Sequence, residues 1–159
     1  MLDKEQLRTL VHDTLDKIGL SSDKADALVF NTGMVESKYV YLKQIKGPAR
    51  GLYQCEPWVA VDVCKNYLKY REDLMKSVAS ACYLDWKYFT HPNEQDWGAI
   101  LTYNIAAQIA MCRLHYRRVP KPLPGSLLEQ AKYWKQYYNT AKGKGTVDHF
   151  CKLVEQYGL

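Results

Sequence analysis

Glu36 is the acid whose setting invites chemistry. Ala25, Leu28, Val29, Thr32 and Gly33 recur on one helical face and lead straight to it, so a stripe that must face a core ends in a carboxyl group. A carboxyl drawn partly out of water keeps its proton to higher pH and becomes a donor near neutrality. The plain alternative is a surface glutamate closing a helix. Negative charge at a helix C-terminus opposes the helix dipole, however, so the position asks for a reason. Beyond Glu36 the periodicity is lost through residue 54. Tyr39 and Tyr41 alternate with Val40 and Leu42 as in a short strand or extended loop, and Gly47, Pro48, Ala49 and Gly51 crowd into a turn. Gln54 follows, an amide able to donate and accept. The stretch 38–55 contains no Asp or Glu.

The elements that must hold this stretch read as helices. The first covers 3–18, with Leu7, Leu10, Val11, Leu15 and Ile18 inward and Gly19 as its stop. Ser21 or Ser22 caps the second. Pro57 suits the first turn of a third, whose buried side is Val59, Val63, Cys64, Tyr67 and Leu68. A fourth runs through Leu74, Val78 and Leu84, and 85–92 forms a short turn or helix. Asn93 caps a helix over about 94–118 that is apolar most of the way round, which predicts the buried centre of the molecule. VPKPLPG at 119–125 is a rigid connector. Ser126 and Glu129 form a capping box, 139–145 is a loop, and Thr146 opens the last helix. The expectation is one all-α or mostly α domain over 1–159, about seven helices around the central one.

Composition bounds the function. A chain of 159 residues with 47% hydrophobic residues buries enough surface to fold without a metal or disulfide. The five cysteines have no metal-type spacing and read as free thiols, and neither a metal nor a cofactor is expected. No apolar run is long enough for a membrane span, and the first residues, MLDKEQLRTLVHD, lack the apolar core of a secretory signal. The net charge of +5 favours a polyanionic partner: nucleic acid, an acidic surface, or an acidic polymer such as bacterial cell wall.

The stretch 32–57 resembles the lysozyme-like lytic transglycosylases that cut peptidoglycan. Their signature is Glu-Ser, an aromatic two residues after the serine, a Gly-Ala-x-Gly-Leu-x-Gln block, and a proline. Here Glu36-Ser37 precedes Tyr39, then Pro48-Ala49-Arg50-Gly51-Leu52-Tyr53-Gln54, then Pro57. The first glycine of the block is displaced to Gly47. A third block, Ala-Tyr-Asn, is echoed by Thr102-Tyr103-Asn104. The resemblance implies a single lysozyme-like catalytic domain, monomeric, acting on the glycan strands of peptidoglycan. It implies Glu36 as the catalytic residue and Ser37, Tyr53, Gln54, Tyr103 and Asn104 as substrate-binding residues. It also looks like a bacteriophage endolysin or a virion-associated protein. Such a protein stays in the host cytoplasm until it reaches the periplasm and wall, with or without a pore-protein partner, or travels in the particle.

Cleaving a glycosidic bond needs a proton on the leaving oxygen and stabilisation of an oxocarbenium-like transition state. A second carboxylate usually stands across the bond, and the segment after Glu36 supplies none. One acid would then act twice, first as acid and then as base on the substrate's own C6 hydroxyl, which is the transglycosylase route. Glu56 is the nearest candidate for a second acid, although its place before Pro57 equally suits a helix-dipole partner. Asp62 and Asp85 rank below it. The rival functions are a hydrolytic muramidase, a non-catalytic virion protein on the same frame, and a nucleic-acid-binding module using basic residues and thirteen tyrosines. No recognised nucleic-acid reader motif occurs, and the charge forms no dense patch.

Overall fold

Two polar residues between consecutive helices divide the chain into its working parts. The structure, a computed structural model, describes residues 2–140 and 142–158. Among these it contains nine α-helices and no strand. They are α1 (Lys4–Lys17), α2 (Asp23–Ser37), α3 (Pro57–Asn66), α4 (Glu72–Ala81), α5 (Lys87–Thr90), α6 (Glu94–Tyr103), α7 (Ile105–Arg117), α8 (Leu127–Trp134) and α9 (Val147–Tyr157). The all-α expectation holds, with two more helices than the periodicity suggested.

The dividing residues are Asn104 and Lys38. The apolar run over 94–118 is not one helix. Asn104 leaves helical geometry at φ −109° and ψ 102°, ends α6 and begins α7. Its side-chain oxygen accepts from Ala107 N at 2.9 Å, and its amide donates to Cys82 O at 2.9 Å. Asparagine competes with the helical backbone in this way and favours caps, so one side chain outweighs an unbroken apolar pattern. The buried centre is therefore α7, from Ala107 to Leu114, packed against α1, α2, α3, α4 and α6. Lys38 ends α2 in the left-handed region, at φ 53°. Tyr39 follows at φ 54°, so the chain turns sharply away from the helix immediately after Glu36 and Ser37.

The local signals at the other ends are those expected of short-range chemistry. Ser22, Asn93 and Thr146 accept from backbone N–H groups at the starts of α2, α6 and α9, and Pro57 opens α3. Ser126 and Glu129 make a complete capping box. Ser21 instead holds Asp26 through its hydroxyl, at 3.0 Å.

The main core runs from Leu7, Val11 and Leu15 of α1 through α2 and α3 to α7, with Trp97 and Phe89 packed edge to face. A smaller second core holds the C-terminal pair α8 and α9 against α2. Val35, Ala131, Trp134, Phe150, Leu153 and Val154 form it. Burying each such aliphatic or aromatic side chain contributes roughly 1.5–3 kcal/mol. Glu36 follows Val35 on α2, beside the second core.

Candidate active site

Glu36 is half-buried at the floor of a groove of about 870 Å³. Loss of water raises its pKa from 4.5 to about 7, and the Trp134 indole opposes part of that rise. The indole N–H donates to Glu36 Oε1 at 2.8 Å. With that oxygen acting as acceptor, the proton of the neutral acid belongs on Oε2.

The loop 38–56 forms one wall. Two isolated bridges, Lys43 with Arg50 and Arg50 with Cys55, are all the extended pairing it makes. It is anchored to the centre of the molecule by Gln108 of α7, whose Oε1 accepts from Leu52 N at 2.8 Å. Gly51 makes that approach possible. Its φ is +77°, and a Cβ there would overlap Leu101 O. On the opposite wall, α8 runs into a wide π-helical turn over Lys135–Asn139. Lys135 Nζ ties that turn to the next loop, donating to Asn139 Oδ1 at 2.8 Å and Gly143 O at 2.9 Å. Gly145 then lies on the Trp134 ring so closely that a Cβ would overlap it.

The residues expected to bind substrate separate into two groups. Gln54 lines the groove with Glu36. Its amide bonds neither Glu36 nor open space but its own loop, donating to Gly51 O at 2.9 Å, and its backbone is left-handed at φ 48°. Ser37 points inward. Its hydroxyl donates to Leu52 O at 2.6 Å and accepts from Tyr39 N at 3.1 Å, which clamps the loop to the end of α2. Tyr53 is 1% exposed and meets the Tyr39 hydroxyl at 3.2 Å, so its ring is not available to stack on a sugar. Tyr103 is 76% exposed but does not line the groove, and Asn104 is occupied by its cap. Ser37, Tyr53, Tyr103 and Asn104 lie off the groove for one reason. Residues that follow one another in a motif need not face one another when they sit at helix ends and turns.

The groove also recruits residues that the sequence reading passed over. Tyr138, Asn139, Thr140 and residues 142–145 line it from the last third of the chain, and Trp134 of the same region bonds Glu36. Tyr138 donates to Tyr53 O at 2.7 Å and joins the two walls. His115 of α7 borders the floor, and its Nε2–H donates to Tyr137 O at 2.8 Å. Burial holds this ring below its ordinary pKa, so it stays neutral, and Nδ1 is then the acceptor nitrogen. The capping box at 126–129 and the packing face of Leu127, Leu128, Ala131, Trp134, Lys135 and Tyr138 mark a helix here, but no local pattern marks it as part of the site.

Glu56 lines the same groove at the start of α3, and the Trp58 indole donates to its carboxylate. Asp62 lies elsewhere, held by Arg118 at 2.5 Å, and that bond keeps its pKa below the ordinary value. Asp85 accepts from Lys87 N at the start of α5. Among the described residues no three His, Cys, Asp or Glu side chains gather as a metal site would require, and no helix is long and apolar enough to cross a membrane. Cys55 borders the groove as a thiol whose pKa burial pushes up to about 12, so it is no nucleophile near neutrality.

Fold and site together define an all-α domain with two half-buried, indole-bonded carboxyls bordering one groove, of which Glu36 has its pKa raised by burial. Comparison with known protein families, curated proteins and solved structures finds no match.

Proposed function

We propose that the protein cleaves the glycan strands of peptidoglycan between N-acetylmuramic acid and N-acetylglucosamine, on a lysozyme-like frame, with Glu36 as general acid and then general base. The observation that carries this reading is Glu36 itself: an acid protonated up to about pH 7 that lines a groove of about 870 Å³. It agrees with the spaced resemblance of residues 36–57 to lytic transglycosylases. Glu36 gives its proton to the glycosidic oxygen as the bond to the anomeric carbon breaks. The resulting carboxylate then accepts the proton of the C6 hydroxyl as that oxygen closes on the anomeric carbon. The product is an anhydro sugar, and no water is consumed. Ser37 and Gln54 act here as positioning residues, since each braces the loop that forms the wall. The setting implied by the resemblance is a phage protein that breaks the host wall at lysis or entry.

Glu56 favours a second reading. Its carboxylate borders the same groove, and an acid placed there could direct a water molecule and make the enzyme a hydrolytic muramidase. Turbidity of chloroform-treated Gram-negative cells tests the main claim. Wild type should clear the suspension and Glu36→Gln should lose at least about 1,000-fold in rate, as expected for loss of an essential acid. Equal clearing by both would sink the proposal. Mass spectrometry of the digest separates the two routes. Anhydro ends with an active Glu56→Gln variant mean transglycosylation, and reducing ends with an inactive one mean hydrolysis.

A further inference from the structure

The groove is lined with more positive charge than the proposed reaction uses. Lys43 and Lys46 come from the loop on one wall, and Lys142 and Lys144 from the loop on the other, about a hundred residues away in the chain. All four are exposed, and among the described residues none forms an ion pair. Only Glu36 and Glu56 oppose them in the lining, and Glu36 is largely neutral below pH 7. Like charges facing one another across a cleft repel, and a concave surface focuses their field, so the arrangement becomes favourable when an anion lies between the walls. The Gly145 contact on Trp134 and the Lys135 bond to Gly143 tie the backbone beside Lys142 and Lys144 to the end of α8.

The same walls expose Tyr41 at 49%, Ile45 at 72% and Trp58 at 55%. Flat apolar surface of this kind covers the faces of sugar rings, whereas lysines beside it select a ligand that carries charge along its length. A neutral glycan leaves the lysines unused, and a compact anion leaves the aromatic walls wet. From this combination we infer that the groove recognises the carboxylates of the peptide stems attached to the glycan, with Lys43 and Lys46 on one side and Lys142 and Lys144 on the other. The inference rests on the glycan-cleaving reading for its substrate. It adds that charge on the stems, and not the sugar chain alone, supplies much of the binding.

Binding of the Glu36→Gln variant to purified Gram-negative sacculi tests this apart from catalysis. Sacculi whose carboxylates have been converted to methylamides should bind roughly tenfold more weakly than native sacculi, and added salt should erase the difference. In the same background, Lys43→Gln with Lys46→Gln, and separately Lys142→Gln with Lys144→Gln, should weaken binding to native sacculi but not to amidated ones. Equal binding to native and amidated sacculi overturns the inference, and that arm needs no lysine variant to fold. So does an equal loss from the lysine variants on both materials. Tighter binding to duplex DNA than to native sacculi also overturns it, in favour of a nucleic-acid partner. If wild type releases muropeptides while binding ignores the stems, this inference fails and the proposed reaction stands. If binding follows the stem charge but no bond is cut, the reaction fails and the inference stands.

Discussion

At the residue scale, the rise of the Glu36 pKa from 4.5 to about 7 couples the proposed chemistry to stability. Burial disfavours the charged form, so the folded state binds the proton more tightly than the unfolded state does. The favourable contribution is whole below about pH 4.5 and is lost as pH rises through about 7. The corresponding free energy is about 3 kcal/mol, at 1.36 kcal/mol for each tenfold change. Glu36→Gln keeps an acceptor for the Trp134 indole and never ionises. Its stability relative to wild type should therefore grow across pH 4.5 to 7 and level off above, as urea denaturation at several pH values would show. The proposed activity should fall as pH rises through about 7, because the donor is lost. Trp134→Phe removes a hydrogen bond that favours the carboxylate, so the alkaline limb of the rate profile should move upward. An unmoved limb would show that Trp134 does not tune the acid.

At the element scale, the loop after α2 depends on a glycine within the helix. Alanine normally improves a helix by roughly 0.5–1 kcal/mol over glycine. A Cβ on Gly33, however, would stand 2.5 Å from the Tyr39 ring. That ring cannot yield freely, since its hydroxyl donates to Phe30 O at 2.7 Å and its backbone is already left-handed. Gly33→Ala should therefore destabilise, by about 1–3 kcal/mol as overpacking does, which a shift in the urea midpoint would measure. It should also displace the wall carrying Gln54, lowering the proposed activity further than the stability loss explains. The same element shows why a resemblance in sequence does not assign roles residue by residue. Ser37, Tyr39 and Gly51 shape the loop, and Glu36 is the group left to face the groove.

At the scale of the whole molecule, the groove is made where residues 36–59 meet the last third of the chain. The second core joins α8 and α9 to α2, and Trp134 packs on Phe150 with ring centroids 5.3 Å apart. Phe150→Ala should cost roughly 3–5 kcal/mol, as removal of a buried aromatic does. Hydrogen exchange should show α8 and α9 opening before the main core, with Glu36 losing its indole. Uniform loss of protection throughout would instead mean that the two cores unfold as one. The amino-acid sequence alone determined what four or five neighbouring residues can decide: the caps at Ser22, Asn93, Ser126 and Thr146, and the proline opening α3. Tertiary structure decided what depends on partners far along the chain. Asn104 divides the central helix by bonding Cys82, and an apolar pattern that continues through it carries no trace of that bond. Trp134 reaches Glu36 from 98 residues away, and the lysines of the second wall arrive with it. Periodicity records which face of a helix is turned from water, but only packing chooses which side chain meets it there.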